Sequence, residues 1–166
     1  MDYQFKKYFI QTLINQLSRE LEKSDLIAEK ERSYATSKDL QAEGKYDTRK
    51  IEASYLAGAQ SRRVEELRLN LALMRKFHID DHSQLEEIKI GSLVTCYRSG
   101  QEAAKKSYFF ISPASGGQIL EIDGHNIQLI SQHSPIGKAL LSIDNGDQFT
   151  LDHGKRRLVF TVLSQV

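Results

Sequence analysis

Three carboxylates spaced four residues apart lie in the first half of the chain: Asp39, Glu43 and Asp47. Residues four apart share one face of a helix, so Asp39 and Glu43 are neighbours if a helix extends that far. Carboxylates placed in this way suit Mg²⁺, which commonly takes one or two of them and keeps several waters. The alternative is a solvated helix end, because basic residues are interspersed between positions 38 and 50.

Two histidines, His78 and His82, are also four residues apart, with Asp80 and Asp81 between them. This spacing is compatible with metal ligation. The alternative is a solvated linker, since residues 77–87 are mostly polar.

Two further arrangements resemble catalytic or phosphate-binding sets without completing them. Gly137 and Lys138 do not form a full phosphate loop, because the position five residues before Gly137 is Gln132 and not glycine. The residue types of a Ser-His-Asp hydrolase site occur close together in the sequence, at Ser131, His125, His133 and Asp123. The sequence lacks the nucleophile elbow that would place such a serine, so we do not expect a hydrolase.

The elements that must position these residues differ between the two halves of the chain. Both prolines and eight of the ten glycines follow residue 90. Before it, apolar or small residues recur at alternating steps of four and three, the period of a helix that packs on a partner helix. The first series is Ile10, Ile14, Leu17, Leu21, Ser24 and Ala28; the second is Ala53, Ala57, Gln60, Val64, Leu67, Leu71 and Met74. We therefore predict an antiparallel coiled-coil hairpin that reverses at Gly44.

The second half has the pattern of a small sheet-rich domain. Short segments rich in valine, isoleucine and aromatic residues alternate with Gly-containing turns. The predicted strands are residues 93–97, 108–112, 118–122, 126–130, 148–151 and 158–163. Ser134 followed by Pro135 predicts the start of a short helix, with serine as the N-cap. The predicted organisation is α+β, with a hairpin over 1–77, a linker over 78–87 and a β-rich domain over 88–166.

Composition narrows the class of protein. The chain has 166 residues, with 23 lysines and arginines against 22 aspartates and glutamates. This balance argues against a dedicated duplex DNA binder, which needs a cationic surplus. The single cysteine, Cys96, excludes internal disulfides and cysteine-based zinc clusters, and favours a reducing cytoplasm. We expect no membrane span, because no apolar run approaches the roughly 20 residues required, and no signal peptide at the N-terminus.

Three segments of the second half stand out: residues 90–95 (Ile-Gly-Ser-Leu-Val-Thr), 132–141 (Gln-His-Ser-Pro-Ile-Gly-Lys-Ala-Leu-Leu) and 146–147 (Gly-Asp). Together they resemble the GreA/GreB family of bacterial transcription elongation factors. The family has an Ile-Gly-Ser-x-Val strand start, then Ser-Pro-[Ile/Leu]-Gly-[Lys/Arg]-Ala-Leu-[Leu/Met], then Gly-Asp, in the same order and with the same spacing. The resemblance covers about residues 88–166. The first half is similar in architecture, with weak identity.

The resemblance implies an FKBP-like fold for the second half and RNA polymerase as the partner. In Gre factors this domain docks at the rim of the polymerase secondary channel, and the coiled coil reaches down it. Acidic tip residues then help to hold the second catalytic Mg²⁺ of the polymerase, which cleaves backtracked RNA. By this similarity the docking segment is Ser134, Pro135, Ile136, Gly137 and Lys138. The implied protein is a monomer without a complete active site or metal of its own, and meets RNA only within the elongation complex.

The predicted tip departs from the pattern of the cleavage factors, which is close to Gly-Asp-Leu-Ser-Glu-Asn-Ala-Glu-Tyr. Here Asp39 is followed by a carboxylate at the fourth position, Glu43, and not at the third. The other pair, Glu43 and Asp47, flanks Gly44. The sequence therefore leaves two functions open: stimulation of RNA cleavage through Asp39, Glu43 and Asp47, or occupation of the channel without cleavage.

Two alternatives come from other classes of protein. A prolyl isomerase would need an apolar cleft, which aromatic residues of the second half could line. The candidates are Tyr97, Tyr108, Phe109, Phe110 and Phe160, which equally suit the core of a sheet domain. The second alternative is a coiled-coil adaptor unrelated to transcription.

Overall fold

The computed structural model describes residues 1–36, 48–99, 106–114, 116–154 and 156–166. Two long helices come first: α1 (Tyr3–Ala35) and α2 (Arg49–Lys76). The strands β1 (Leu93–Arg98), β2 (Lys106–Ser112), β3 (Ile119–Ile122) and β4 (His125–Ser131) follow. A short helix, α3 (Pro135–Leu140), precedes β5 (Gln148–His153) and β6 (Arg156–Gln165). The predicted α+β class, with a long helix pair before a sheet, is confirmed.

Contacts divide the chain into two compact units, and α1 contributes to both. Unit 1 comprises Met1–Leu13 and Lys76–Val166, and unit 2 comprises Ile14–Arg75. The sequence-based boundaries at 77 and 88 remain a prediction about domains. The contact-based units differ from them in assigning the first turns of α1 to the same unit as the sheet.

Unit 2 contains the paired parts of α1 and α2. Side chains late in α1 contact side chains early in α2, as in the hydrogen bond between Arg32 and Ser61, whereas Ser18 pairs with Arg75 near the other end. This order makes the two helices antiparallel. The predicted seam is buried at Leu17, Ala28, Ala53, Val64, Leu67, Leu71 and Met74. The predicted reversal at Gly44 lies outside the described residues.

Ion pairs connect the two helices of unit 2 at their surface. Arg63 lies 2.6 Å from Glu20, and Arg68 lies 2.8 Å from Asp25. These side chains are between about one third and one half exposed. Such solvated pairs contribute at most about 1 kcal/mol each, so burial of the seam stabilises this unit more than they do.

Unit 1 is built around the sheet. In the described residues, six strands form one sheet in the order β3-β4-β2-β1-β6-β5. Neighbouring strands are antiparallel, except that β2 and β4 are parallel. All six predicted strands are present, with ends that differ by a few residues. Asp-Gly and Asn-Gly turns lie between strands. Gly124 and Gly146 adopt positive φ angles there, a conformation that glycine reaches without steric cost.

The sheet buries residues on both faces. On one face, Val94, Cys96 and Phe109 pack with α3 residues in a core that includes Leu140. On the other face, Phe110 meets Phe9 of α1, with ring centroids 5.0 Å apart. Side chains alternate between faces along a strand, so neighbouring phenylalanines of β2 enter different cores.

The first turns of α1 complete unit 1. Asp2 caps the helix, since its Oδ1 accepts a hydrogen bond from the Phe5 amide at 2.8 Å. One face then buries Phe9, Ile10 and Leu13, each at most 1% exposed. This contribution of α1 to the sheet unit is absent from the sequence-based prediction, which placed Ile10 in the helix-pair seam.

Candidate functional site

The predicted tip carboxylates Asp39, Glu43 and Asp47 lie outside the described residues. Their part in metal binding or RNA cleavage stays a prediction. The docking segment, by contrast, is described in full.

Ser134 begins α3 as predicted. Its Oγ accepts a hydrogen bond from the amide of Gly137 at 3.0 Å and donates one to the carbonyl of Ser131 at 2.7 Å. Pro135 occupies the first helical turn, where backbone N–H groups have no intrahelical acceptor, so the N–H that proline lacks is not needed. Ser134 therefore fixes the point at which the chain leaves β4 and turns into the helix.

Two glycines, Gly137 in the docking segment and Gly116 between β2 and β3, allow close approach to the end of β4. A Cβ atom at Gly137 would collide with the carbonyl oxygen of Ser131 and lie 3.1 Å from the Cα of Gln132. A Cβ atom at Gly116 would collide with the Ser131 amide nitrogen. Neither obstacle is a flexible side chain, so both positions require glycine.

The docking segment thus contains residues that shape its backbone and residues whose side chains are accessible. Ser134 and Gly137 shape the backbone through capping and close approach. Pro135 and Lys138 are exposed and Ile136 is half-buried, so their side chains are available to a partner.

Pro135 and Ile136 form one wall of a cleft in unit 1, about 720 Å³ in volume. The opposite wall is the face of the sheet that α3 leaves uncovered. It includes Phe109, Phe160 and Leu158. A volume of this size lies within the range of ordinary ligand-binding clefts.

The aromatic candidates divide between this cleft and the rest of the sheet. Tyr108, Phe109 and Phe160 line it, as the isomerase alternative required. Tyr97 is not among the lining residues, and Phe110 lies in the core against Phe9. Phe109 and Phe160 are 4% and 5% exposed, so they form the floor of the cleft and also belong to the core.

Arg98 places a cation in the same cleft. It is the last residue of β1 and lies opposite Phe160 of β6. Its Nε is buried and has no hydrogen-bond partner among the described residues. Sequence reasoning did not single out Arg98, although strand alternation from the buried Val94 and Cys96 would place it on this face.

The paired histidines do not share a site. His82 is buried, and its Nδ1 lies 2.8 Å from the Oγ of Ser92. His78 is 88% exposed and lies 3.3 Å from a carboxylate oxygen of Asp80. No group of three histidine, cysteine, aspartate or glutamate side chains within the described residues could hold a metal ion. The metal interpretation of this pair is therefore not supported in the described part of the chain.

His82 instead belongs to a buried polar network that fixes the linker. Ser92 donates to the Oε1 of Gln165 at 2.7 Å, and Gln165 donates to the carbonyls of Leu85 and Glu87. Burial lowers the pKa of His82, and the positive charge of Lys6 lowers it further. The neutral imidazole is the form that this environment favours.

Lys6 is the most unexpected buried residue. It is 0% exposed, and its Nζ donates to the carbonyl of Asp80 at 2.6 Å. Tyr3, one turn earlier, donates to the carbonyl of Ile79 at 2.8 Å. Burial lowers the pKa of Lys6 to about 8, although Asp81 and Asp80 oppose the shift. These bonds join α1 to the segment after α2.

The hydrolase set is not assembled. Ser131 accepts a hydrogen bond from the backbone amide of His133 at 3.3 Å, with no imidazole involved. The ring of His125 instead packs edge-on against Phe5 and Tyr108. Cys96 is not a candidate nucleophile either, because burial raises the pKa of its thiol to about 12.

Within the described residues, no helix combines the length and the apolar character that a membrane span requires.

No family model and no curated protein matches the chain. Among solved structures, one described as the transcription factor Gfh1 is 20% identical, with a TM-score of 0.40 and 92% of each chain covered. The GreA factor homolog 1 (Gfh1) of Thermus thermophilus is 22% identical, with a TM-score of 0.38, covering 92% of this chain and 94% of that one.

A third solved structure, described as the prokaryotic transcription elongation factor GreA/GreB from Nitrosomonas europaea, is 17% identical, with a TM-score of 0.37. The match covers 69% of this chain and 91% of that chain. These three solved structures are thus described as Gre-type transcription factors, each at less than 25% identity to this chain.

Proposed function

We propose that this protein binds bacterial RNA polymerase through the cleft between α3 and the sheet, and acts as a Gre-like regulator of transcription elongation. The observation that carries the proposal is the arrangement of residues 134–138. The segment resembles the docking segment of Gre factors, and its Pro135 and Ile136 form a wall of the cleft. Ser134 and Gly137 hold that wall in place.

The energetics of this surface suit a protein partner. Apolar surface removed from water contributes roughly 25 cal/mol per Å². The cleft offers Ile136, Leu151 and Leu158 for such burial. A protein–protein interface needs a few well-packed apolar anchors of this kind within a polar rim.

In this proposal the helical pair enters the secondary channel, and Asp39, Glu43 and Asp47 lie at the end that approaches the polymerase active centre. Cleavage would then use the metal ions of the polymerase, with the carboxylates of this protein helping to hold the second Mg²⁺ and orient a water. The competing version is a channel-occupying regulator or inhibitor that binds without stimulating cleavage.

Titration of fluorescently labelled protein with purified core RNA polymerase tests the docking. Ile136→Asp replaces an apolar wall residue by a carboxylate and should weaken binding at least about tenfold, since an apolar contact is lost and a charge must be desolvated. Leu163→Asp is the matched control, because Leu163 is 49% exposed and does not line this cleft. Equal affinities for the two variants would refute docking through the cleft.

Transcript cleavage by backtracked polymerase separates the two versions. Stimulation that the Glu43→Ala plus Asp47→Ala variant loses would establish a catalytic contribution of the tip. Binding without stimulation, unaltered by these substitutions, would leave channel occupancy as the function.

A second candidate function follows from the aromatic floor of the cleft. Tyr108, Phe109 and Phe160 could surround a proline ring, as a prolyl isomerase requires. Catalysed isomerisation of a proline-containing test peptide, lost in Ile136→Asp but retained in Leu163→Asp, would favour this function.

A further inference from the structure

The cleft contains one feature that apolar docking leaves unused, the guanidinium of Arg98. Val94, Cys96 and Arg98 alternate along β1 and so point to one face of the sheet. The first two are fully buried in the core with Phe160. Arg98 continues that row to the end of the strand, directly opposite Phe160.

The surroundings of Arg98 leave hydrogen-bonding capacity unfilled. Arginine has five N–H donors in a planar fork. The Nε of Arg98 is shielded from water and has no acceptor among the described residues. Arg98 as a whole is only half-buried and lines the cleft, so the terminal N–H groups of the fork are the donors that a carboxylate in the cleft can reach.

We propose that Arg98 binds a carboxylate of the protein segment that docks in this cleft. The segment carries an aspartate or glutamate next to an aliphatic or aromatic side chain. The apolar side chain contacts Ile136 and Phe160, and the carboxylate accepts hydrogen bonds from the Arg98 guanidinium. This inference rests on the proposed function, because it specifies the chemistry of the polymerase segment that the cleft accepts.

A protein carboxylate fits the cleft better than a nucleic-acid phosphate. The walls around Arg98 are largely apolar, with Leu151, Leu158 and Ile136 among them. Its charged lining residues are Arg98, Lys106 and Asp152, so the described lining carries no continuous cationic surface. Binding of nucleic acid needs several cations along one surface, whereas the planar fork of an arginine matches one carboxylate.

Charge complementarity then gives Arg98 a role in specificity. An uncharged segment of the same shape would leave the guanidinium buried and unpaired, so the cleft would reject it. Residues that resemble the Gre docking segment form the other wall. The specificity thus comes from β1, outside the segment that the sequence singled out.

Titration of the labelled full-length chain with purified core RNA polymerase, at two salt concentrations, tests this contact. Arg98→Met keeps most of the apolar stem and removes the charge, and Arg98→Glu reverses it. Arg157→Glu is the matched control, because Arg157 is exposed and is not among the residues that line the cleft. The melting temperature of each variant reports whether it is folded.

We expect Arg98→Met to weaken polymerase binding at least about 30-fold and Arg98→Glu more than that, as loss of one partner of a desolvated charge pair does. Arg157→Glu should stay within about threefold, as a rim charge does. Raising salt should weaken the wild-type protein more than Arg98→Met.

Three results would overturn the inference. Wild-type binding that Arg98→Met leaves unchanged in strength and salt dependence would refute the carboxylate contact alone and leave cleft docking intact. Absence of wild-type binding to the polymerase would refute the proposed function and this inference together. A dimer of the free chain that Arg98→Glu dissociates would place a second copy in the cleft.

Discussion

Substitution of Gly137 by alanine tests the close backbone approach at this position. The close approach predicts a loss of stability, whereas ordinary helix propensity predicts a gain. Gly137 lies within α3, and alanine stabilises a helix interior by about 1 kcal/mol relative to glycine. The new Cβ, however, would overlap the carbonyl oxygen of Ser131 and come within 3.1 Å of the Cα of Gln132. Both atoms belong to the backbone at the end of β4, which cannot rotate aside.

Overpacking of this kind typically costs about 1–3 kcal/mol, and a backbone obstacle lies at the upper end. Subtracting the gain in helix propensity leaves a net loss of about 2 kcal/mol. For a chain of this size, that corresponds to a fall in melting temperature of roughly 4–8 °C. The displaced helix start would also move Pro135 and Ile136, so polymerase binding should weaken.

Gly58→Ala is the matched control, since it makes the same chemical change within the long helix α2. A Cβ atom there meets nothing within 4 Å. Alanine should therefore stabilise the protein by up to about 1 kcal/mol and raise the melting temperature. Scanning calorimetry of the wild type and both variants measures these shifts. A melting temperature raised by Gly137→Ala as well as by Gly58→Ala would refute the argument for close approach.

Three other predictions concern single contacts. Ser134→Ala should lower the free energy of unfolding by about 1 kcal/mol through loss of the N-cap, and urea denaturation that shows no change would contradict that role. Phe9→Ala should destabilise by about 3–5 kcal/mol because Phe9 is fully buried against Phe110, whereas Tyr8→Ala, at an exposed neighbour, should change stability little. The pKa of Lys6 is about 8 in the folded protein and 10.5 in the unfolded chain. Between these two pH values the unfolded chain binds more protons than the native state, so the stability of the wild type relative to Lys6→Met should rise with pH. We expect a relative gain of about 1 kcal/mol between pH 7 and 9; urea denaturation at both values measures it, and parallel profiles would show that Lys6 is not desolvated.

Local signals in the sequence predicted much of the fold. The strands and the start of α3 follow from alternating apolar residues, Gly-containing turns and the Ser134–Pro135 pair, which act over a few residues. The seam of unit 2 follows from a period that the helix itself imposes. These features need no knowledge of which distant elements meet.

Long-range packing accounts for what the sequence did not show. Phe9 widens the apolar stripe of α1 near its start, but its aromatic partner is Phe110 of the sheet. Burial of Lys6 depends on the carbonyl of Asp80, 74 residues away. The position of Arg98 in the cleft depends on which face of the sheet each β1 side chain points to. It also depends on where α3 packs, because α3 and the sheet together form the cleft.

Site-specific photocrosslinking tests the central claim most directly. A benzophenone amino acid replaces Ile136 in the cleft wall, or Leu163 outside the cleft as a control, and each protein is irradiated with core RNA polymerase. Docking through the cleft predicts a crosslink to a polymerase subunit from position 136 and little or none from position 163, with competition by unlabelled wild-type protein. A protein that crosslinks from position 163 and not from 136, or from neither, would contradict docking through the cleft.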